Sequence, residues 1–314
     1  MFKGLHTYFS NFITRIFNKD ANYKMKTQYS RIIQGCMNWG AWGKQFNENQ
    51  MITMMHHCLD QGISTFDHAD IYGDYSTEKD FGNAFAKAGI ERSKIQLISK
   101  CGIQYKGKAR LENEVKHYQY DSAYIIASAE RSLKLLKTDY LDLFLLHRPS
   151  PLMHPDEIAI AIQQLQSQGK IKDFGVSNFT PSQTDLVKTS VNVTVNQIEL
   201  SLTANKSMVD GRLDHMMAHQ ITPMSWSPLG SVFKEVTDQT DRIKHTLQSL
   251  TKKYNATEDQ LLLAWLLKHP SGIHPVIGTT SEARVTAATQ ALEIPLELQD
   301  WFALLVASQG HKVA

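Results

Sequence analysis

Cysteine is scarce in this chain of 314 residues: only Cys36, Cys58 and Cys101 occur, and they form neither a CxxC pair nor any metal-ligand spacing. That excludes a zinc ribbon and a disulfide framework, and it favours a reducing, cytoplasmic setting. Charge of one sign is lacking too, because 33 basic residues face 31 acidic ones and leave a net charge of +2. So small an excess provides no electrostatic footprint for nucleic acid and no polybasic membrane anchor. Long apolar runs are missing as well. The longest stretch without a charged side chain, His215 to Phe233, contains Gln220, Thr222, Pro223, Ser225, Ser227, Pro228 and Gly230, so it cannot cross a bilayer as a helix. Absent, finally, is any G-x-G-x-x-G, which a Rossmann dinucleotide site would need. What remains is an ordinary globular composition, 42% hydrophobic, that can bury a sizeable core and takes a small molecule as its default partner.

Residues 1–24 read as an N-terminal extension. Phe2, Leu5, Phe9, Phe12, Ile13, Ile16 and Phe17 recur at near-helical spacing among Lys3, Arg15 and Lys19. The pattern is amphipathic and basic but lacks the continuous apolar region and small-residue cleavage site of a signal peptide. A targeting or membrane-surface helix, a start at Met25 and a loosely packed extension all stay open. Residues 25–314 are read as the folded domain, because the organised pattern begins near Arg31.

From there, short apolar runs alternate with helical patterns about eight times, the expected signal of βα units around a parallel sheet. Strands are expected at Ile32–Gly35, Thr65–His68, Lys94–Lys100, Tyr140–His147, Ile171–Ser177, Val193–Glu199, Thr222–Ser227 and Ile273–Gly278. Helices are expected at Ser122–Leu136 and Pro155–Gln168, the second stopped by Gly169. Eight such units without a Pro/Ser/Gly-rich linker predict a single-domain α/β fold, a (β/α)8 TIM barrel. Long connections at Cys101–Tyr120 and Pro228–Asp241 follow strand ends, where barrels build their active face.

Polar residues gather at those ends: Asp67 and His68 on the second strand, Lys100 on the third, His147 on the fourth, Ser177 and Asn178 on the fifth. Left unpaired in an apolar run, each would cost several kcal/mol, so they need one another. A plain buried ion pair of Asp67 with Lys100, and a satisfied core histidine at His147, are the bland readings. Their coincidence with Tyr72 in the loop after the second strand favours chemistry.

The set Phe66-Asp-His-Ala-Asp-Ile-Tyr72, Lys100, Leu145-Leu-His147, Gly175-Val-Ser-Asn178, Asn196-Gln-Ile-Glu199 and Trp226-Ser-Pro-Leu229 resembles the aldo-keto reductases. His147-Arg-Pro149 is similar to their bacterial oxidoreductase branch. The resemblance implies a nicotinamide cofactor held without a Rossmann domain, reversible reduction of an aldehyde or ketone, and a catalytic set of Asp67, Tyr72, Lys100 and His147. It assigns Ser177, Asn178 and Gln197 to the carboxamide, Trp226 to stacking on the nicotinamide ring, and Ser227, Leu229, Gly278, Thr279, Thr280 and Arg284 to the phosphates. It further implies NADP(H) in preference to NAD(H), although Gly278 stands where many relatives have lysine. No metal is expected, and the protein is expected to act as a monomer on a small carbonyl or alcohol.

The chemistry agrees with that assignment on its own terms. Hydride reduction leaves an alkoxide, so a proton donor must stand beside the carbonyl oxygen. A phenol with a pKa of about 10 is protonated at neutral pH, whereas a carboxylic acid at about 4 is not, which selects Tyr72 over Asp67. Lys100 is expected to lower the Tyr72 pKa, and His147, neutral, to orient the carbonyl. Trp39, Trp42, Tyr105 and Phe233 are candidate pocket walls, each equally readable as core beneath a loop. Three rivals stand. Gly102–Ala109 is a near-miss phosphate loop, but Ala109 occupies the position where the magnesium-binding hydroxyl is needed. Lys100 could serve as a Schiff-base nucleophile of an aldolase, against which Asp67 argues. A non-catalytic nicotinamide-binding barrel, acting as a sensor or docking module, is the third.

Overall fold

Residues 29–314 are described by a computed structural model, so the expectations for residues 1–24 lie outside the described residues. Each apolar run becomes a strand: β1 (Ile33–Gly35), β2 (Thr65–Asp67), β3 (Gln96–Cys101), β4 (Leu141–Leu146), β5 (Ile171–Ser177), β6 (Val195–Glu199), β7 (Thr222–Trp226) and β8 (His274–Ile277). Each pairs in parallel with the next and β8 pairs with β1, closing the barrel. All eight expected strands are present: β5 has its expected bounds, β3 runs one residue further, to Cys101, and the other six are one or two residues shorter. The third starts at Gln96 rather than Lys94 because Arg92–Lys94 form a 3-10 turn.

Local signals set the helices around it. In α1 (Glu48–Asp60), Asn47 and Gln50 form a capping box, which satisfies two of the backbone N–H groups that a helix start leaves free. After α2 (Thr77–Phe85), α3 (Ser122–Leu136) matches its expected bounds, with Asp121 accepting from the Tyr124 amide. The next helix, α4 (Pro155–Ser167), has proline in its first turn. Gly169, at φ 68°, ends that segment in the left-handed region that only glycine enters cheaply. Following these are α5 (Pro181–Lys188), α6 (Arg212–Ala218), α7 (Asp238–Tyr254), α8 (Glu258–Leu267), α9 (Glu282–Gln290) and α10 (Leu298–Gln309). None of the helices among the described residues is long and apolar enough to cross a membrane.

Two apolar shells result. Ile33, Ile98, Leu143, Leu145, Val195, Met224 and Val276 fill the lumen. Phe66, Phe81, Phe144 and Phe174 lie in the shell between strands and helices, each buried aromatic contributing about 1.5–3 kcal/mol. The two-residue period of a strand now places the chemistry. On β3, Ile98 and Lys100 share the lumen face, while Ser99 turns outward to bond Glu78 of α2. On β6, Val195 and Gln197 share it in the same way. Asp67, Lys100 and Gln197 thus form a polar layer on top of an apolar plug. At the opposite end, Asp142 near the start of β4 accepts from Arg92 Nη2 at 2.6 Å, Lys172 Nζ at 2.9 Å and the Leu97 amide at 2.9 Å.

The long connection after β3 folds back as a short antiparallel ribbon of Ile103–Gln104 with His117–Tyr118. The one after β7 is shorter than expected, since α7 already begins at Asp238. All three cysteines are free and buried.

Candidate active site

Lys100 Nζ is fully buried and makes four contacts at the C-terminal end of the barrel. Asp67 Oδ1 and Oδ2 lie at 2.8 and 2.7 Å, the His68 carbonyl oxygen at 2.7 Å and Tyr72 Oη at 3.2 Å. Gln197 Nε2 donates to Asp67 Oδ1 at 2.9 Å from across the lumen. Burial pulls the ammonium down, but Asp67 and Tyr72 together outweigh it, and Lys100 ends above its ordinary range. Asp67 and Lys100 are therefore brought together with Tyr72 as expected. His68 is not part of the set: it packs edge-on against Phe81 at 4.3 Å, and burial drives it down to about 3, neutral.

The Tyr72 phenol behaves differently from the expectation that Lys100 would lower it. Burial pushes it up, the Lys100 charge opposes that push, Asp67 reinforces it, and the net direction is upward. Desolvation outweighs a single neighbouring cation that is itself shared with a carboxylate. His147 lies edge-on to the Tyr72 ring with centroids 6.1 Å apart. Its Nδ1 is buried without a hydrogen-bond partner. Burial first, then Lys100, Arg148 and Lys116, hold it well below the ordinary imidazole range, so the ring is neutral at physiological pH.

Tyr72 opens a loop that the backbone alone would resist. Gly73, Asp74 and Tyr75 follow with φ of 61°, 57° and 66°, and each non-glycine residue in that region costs about 1–2 kcal/mol. Asp74 compensates by gathering the insertion after β3: its carboxylate accepts from Tyr105 Oη at 3.0 Å, the Lys108 amide at 2.8 Å and the Ala109 amide at 3.3 Å. Tyr75 stacks on Tyr105 at 5.8 Å. A Cβ on Gly107 would stand 2.2 Å from Asp74 Oδ1, so only glycine lets the strand of backbone approach so closely. Sequence reading passed over Asp74. Its place two residues after Tyr72 and next to a glycine was the available signal.

Behind the loop, Asp70 is buried with Oδ2 3.3 Å from Arg131 Nη2 and Oδ1 unpartnered. Burial, then the nearby Glu78 carboxyl, push it up to about 8.

The expected cofactor residues form a second group. Ser177 Oγ donates to the Gln197 carbonyl at 2.8 Å, Asn178 Nδ2 donates to Ser177 Oγ at 2.8 Å, and Trp226 Nε1 donates to Asn178 Oδ1 at 2.9 Å. The chain ties the Trp226 indole to the end of β5 and to the backbone of Gln197, whose side chain bonds Asp67. The Arg148 guanidinium lies 5.3 Å from the indole ring, within cation–π range; sequence reading noted it only within His147-Arg-Pro149 and gave it no role. Past β8, Gly278 is exposed, with its carbonyl held by Asn38 Nδ2 at 2.9 Å. The helix that follows starts uncapped: Ser281 gives no side-chain bond to the first turn of α9, whereas Asn47, Asp121, Thr180 and Thr237 cap α1, α3, α5 and α7. Its free amides suit a phosphate, with Thr279 and Thr280 before them and exposed Arg284 in the first turn.

Of the expected pocket walls, two reach the site. Trp42 stands 6.3 Å from the Tyr72 ring and 6.2 Å from Tyr105. Trp39 is instead fully buried against Phe46, Phe66 and Phe81, a core residue, because the loop after β1 folds it inward. Phe233 is half exposed on the turn after β7. A groove of about 390 Å³ bordered by Phe46, Met51, Asp80 and Asn83 lies outside the barrel and holds none of these groups.

Comparison with known proteins places this arrangement in context. The model of the aldo/keto reductase family matches residues 31–305. The uncharacterized oxidoreductase YcsN of Bacillus subtilis is 40% identical over 291 residues, covering 91% of this chain and 96% of that protein. The oxidoreductase YdhF of Escherichia coli is 38% identical over 289 residues, with the same coverages. Among solved structures, the glycerol dehydrogenase of Gluconobacter oxydans superposes with a TM-score of 0.79 at 21% identity, covering 92% of this chain and 94% of that one, and shares the fold.

Proposed function

The chain belongs to the aldo/keto reductase family, and on that premise we propose that it reduces an aldehyde or ketone to the alcohol with NAD(P)H, Tyr72 giving the proton. Membership makes it an oxidoreductase of carbonyls or alcohols that uses a nicotinamide cofactor. The observation that carries the finer reading is the single ammonium of Lys100, bonded to Asp67 on one side and to Tyr72 Oη on the other, beside a neutral His147. The cofactor, when bound, supplies the hydride. Tyr72 Oη then gives its proton to the developing alkoxide, and the phenolate left behind is stabilised by Lys100. His147, with Nδ1 sealed in the protein, uses its other nitrogen to orient the carbonyl. A phenol raised by burial stays protonated across neutral pH, which suits the reductive direction.

Ser177, Asn178, Gln197 and Trp226 are proposed to hold the nicotinamide. Ser227, Leu229, Gly278, Thr279, Thr280 and Arg284 are proposed to hold the phosphates, and the guanidinium of Arg284 favours NADP(H). The aromatic pair of Trp42 and Tyr105 would flank the substrate. Three buried thiols suit a cytoplasmic setting. Against a Schiff base, Lys100 is held protonated, and an ammonium is no nucleophile.

The test is the loss of absorbance at 340 nm when NADPH, and separately NADH, meets a panel of aromatic aldehydes, dicarbonyls and ketones. Carbonyl-dependent consumption is expected, faster with NADPH. Tyr72→Phe is expected to lower turnover by about two to four orders of magnitude with cofactor affinity unchanged. Parent-like turnover in that variant would remove Tyr72 as the donor.

A further inference from the structure

Outside the strand-end site, one cluster of side chains has the composition of a metal centre. His215 lies in α6 and His219 is the residue that caps its C-terminus, a four-residue spacing that puts both imidazoles on one side, and their ring centroids are 4.4 Å apart. Asp185 reaches them from α5, where its Oδ1 accepts from His215 Nε2 at 2.7 Å. Ligand-capable atoms of all three residues lie within 4.8 Å of one another. We propose that Asp185, His215 and His219 bind a zinc ion on the outer helical ring of the barrel, with water completing the coordination.

The donor set selects the ion. Two imidazole nitrogens and one carboxylate oxygen suit a borderline divalent transition ion, whereas calcium and magnesium prefer oxygen alone. Geometry is close to what zinc needs. Bonds of about 2.0–2.1 Å place tetrahedral donors about 3.4 Å apart, so the 2.7 Å contact of Asp185 Oδ1 with His215 Nε2 must open by about 0.7 Å, while donors as far as 4.8 Å apart close by up to about 1.4 Å. His215 is the fixed member, its side chain 11% exposed. Asp185 and His219 are both exposed, so they can rotate to close the set and leave the ion a way in. A simple ion pair would require only Asp185 and His215; it gives no reason for a second imidazole against the first. On binding, the proton on His215 Nε2 that now bridges to Asp185 moves by way of solvent to Nδ1, so the ring stays neutral and the Nε2 lone pair and the freed carboxylate oxygen turn to the ion. Lys188, one turn beyond Asp185 on α5, is the neighbouring cation that works against it. Cysteine spacing, the basis of the expectation that no metal binds, does not bear on this cluster. The His-x3-His at the end of α6 is visible in the sequence, but its carboxylate lies 30 residues upstream.

The consequence is a staple between α5 and α6, the helices that follow β5 and β6. Full-length protein stripped with a chelator is titrated with zinc by calorimetry and with cobalt by visible absorption. One equivalent of zinc is expected to bind, the cobalt spectrum to take the intense form of four-coordinate rather than hexaaqua ion, and the melting midpoint to rise by about 4 °C at a hundredfold excess over Kd. His219→Ala, at an exposed position, and Asp185→Asn are each expected to weaken zinc at least tenfold, while Lys188→Gln tightens it. Carbonyl reduction by these variants without zinc is expected to match the parent, which also reports that they fold. Equal zinc affinity in the parent and in the His215→Gln/His219→Ala double variant would overturn the site. So would an unchanged hexaaqua cobalt spectrum, or the same stabilisation from magnesium.

Discussion

At each end of the barrel a buried carboxylate is paired with cationic side chains, Asp142 at one and Asp67 at the other, and the two are put to different uses. At the N-terminal end, Asp142 is shared by Arg92, Lys172 and the Leu97 amide. Its cations are partly exposed, 19% for Arg92 and 49% for Lys172, and all its partners belong to strand starts or the turn before one. At the C-terminal end, Asp67 holds a lysine with no exposure at all, and that lysine spends a further bond on the hydroxyl of the partly buried Tyr72, at the start of the left-handed loop. A buried ion pair therefore does not by itself separate stability from chemistry. The separation comes from what the pair leaves over: at one end nothing, at the other a charge aimed at an ionisable group that a ligand can reach.

Breaking each pair should expose that difference. Lys100→Met is expected to lower kcat by about two orders of magnitude or more, the lower part of the range for lost acid–base function, measured as carbonyl-dependent NADPH consumption. Asp142→Ala is expected to cost about 3 kcal/mol in denaturant unfolding, at the low end for a broken buried pair because Arg92 and Lys172 can turn to water. Its kcat per folded molecule should stay within about twofold of the parent, since the change lies at the face that barrels use for stability. A matching loss of kcat in Asp142→Ala would erase the contrast between the ends.

Two smaller effects sharpen it within the catalytic end. Asp74→Ala removes three hydrogen bonds from the insertion and is expected to lower kcat/KM by about tenfold, equivalent to about 1.4 kcal/mol, chiefly through KM; a change confined to kcat would place Asp74 in the chemistry instead. Asp70 provides a pH signature. Folded, it keeps its proton up to about 8, while the unfolded chain loses it near the ordinary carboxylate value of about 4. Between those values the folded state binds more protons, so the stability contributed by this group is full below about pH 4 and declines as pH rises to about 8. Asp70→Asn should therefore flatten that decline and raise the melting midpoint at pH 8.5 by a few degrees, with little change at pH 4. A midpoint equally shifted at both pH values would sink this account.

How legible these features are in the sequence follows from how local they are. The eight strands and the bounds of α3 emerge from short apolar runs and an Asp cap, both readable in a few residues. Asp67, Lys100 and Gln197 are legible because a polar residue ending an apolar strand needs a partner, and the parity of a strand decides where it points. Trp39 is not, since an aromatic after a strand serves core and cleft equally well; only the path of its loop decides. The direction of the Tyr72 shift escapes too, because it depends on how much water the fold removes. Asp74 is the least legible, as its role requires a run of left-handed backbone and a ribbon that returns from more than 30 residues later.

That ribbon is joined to the rest of the molecule by its two chain ends, by the Asp74 carboxylate, by Tyr75, whose hydroxyl bonds the Ile103 carbonyl and whose ring stacks on Tyr105, and by the packing of Ile103 on Ala69 and Ile71, while the barrel beneath it closes without it. Residues 103–118 are in that sense a cassette. A different segment that kept glycine at 107 and offered two amides to Asp74 could be grafted above Tyr72, altering which molecules fit while the eight strands fold as before.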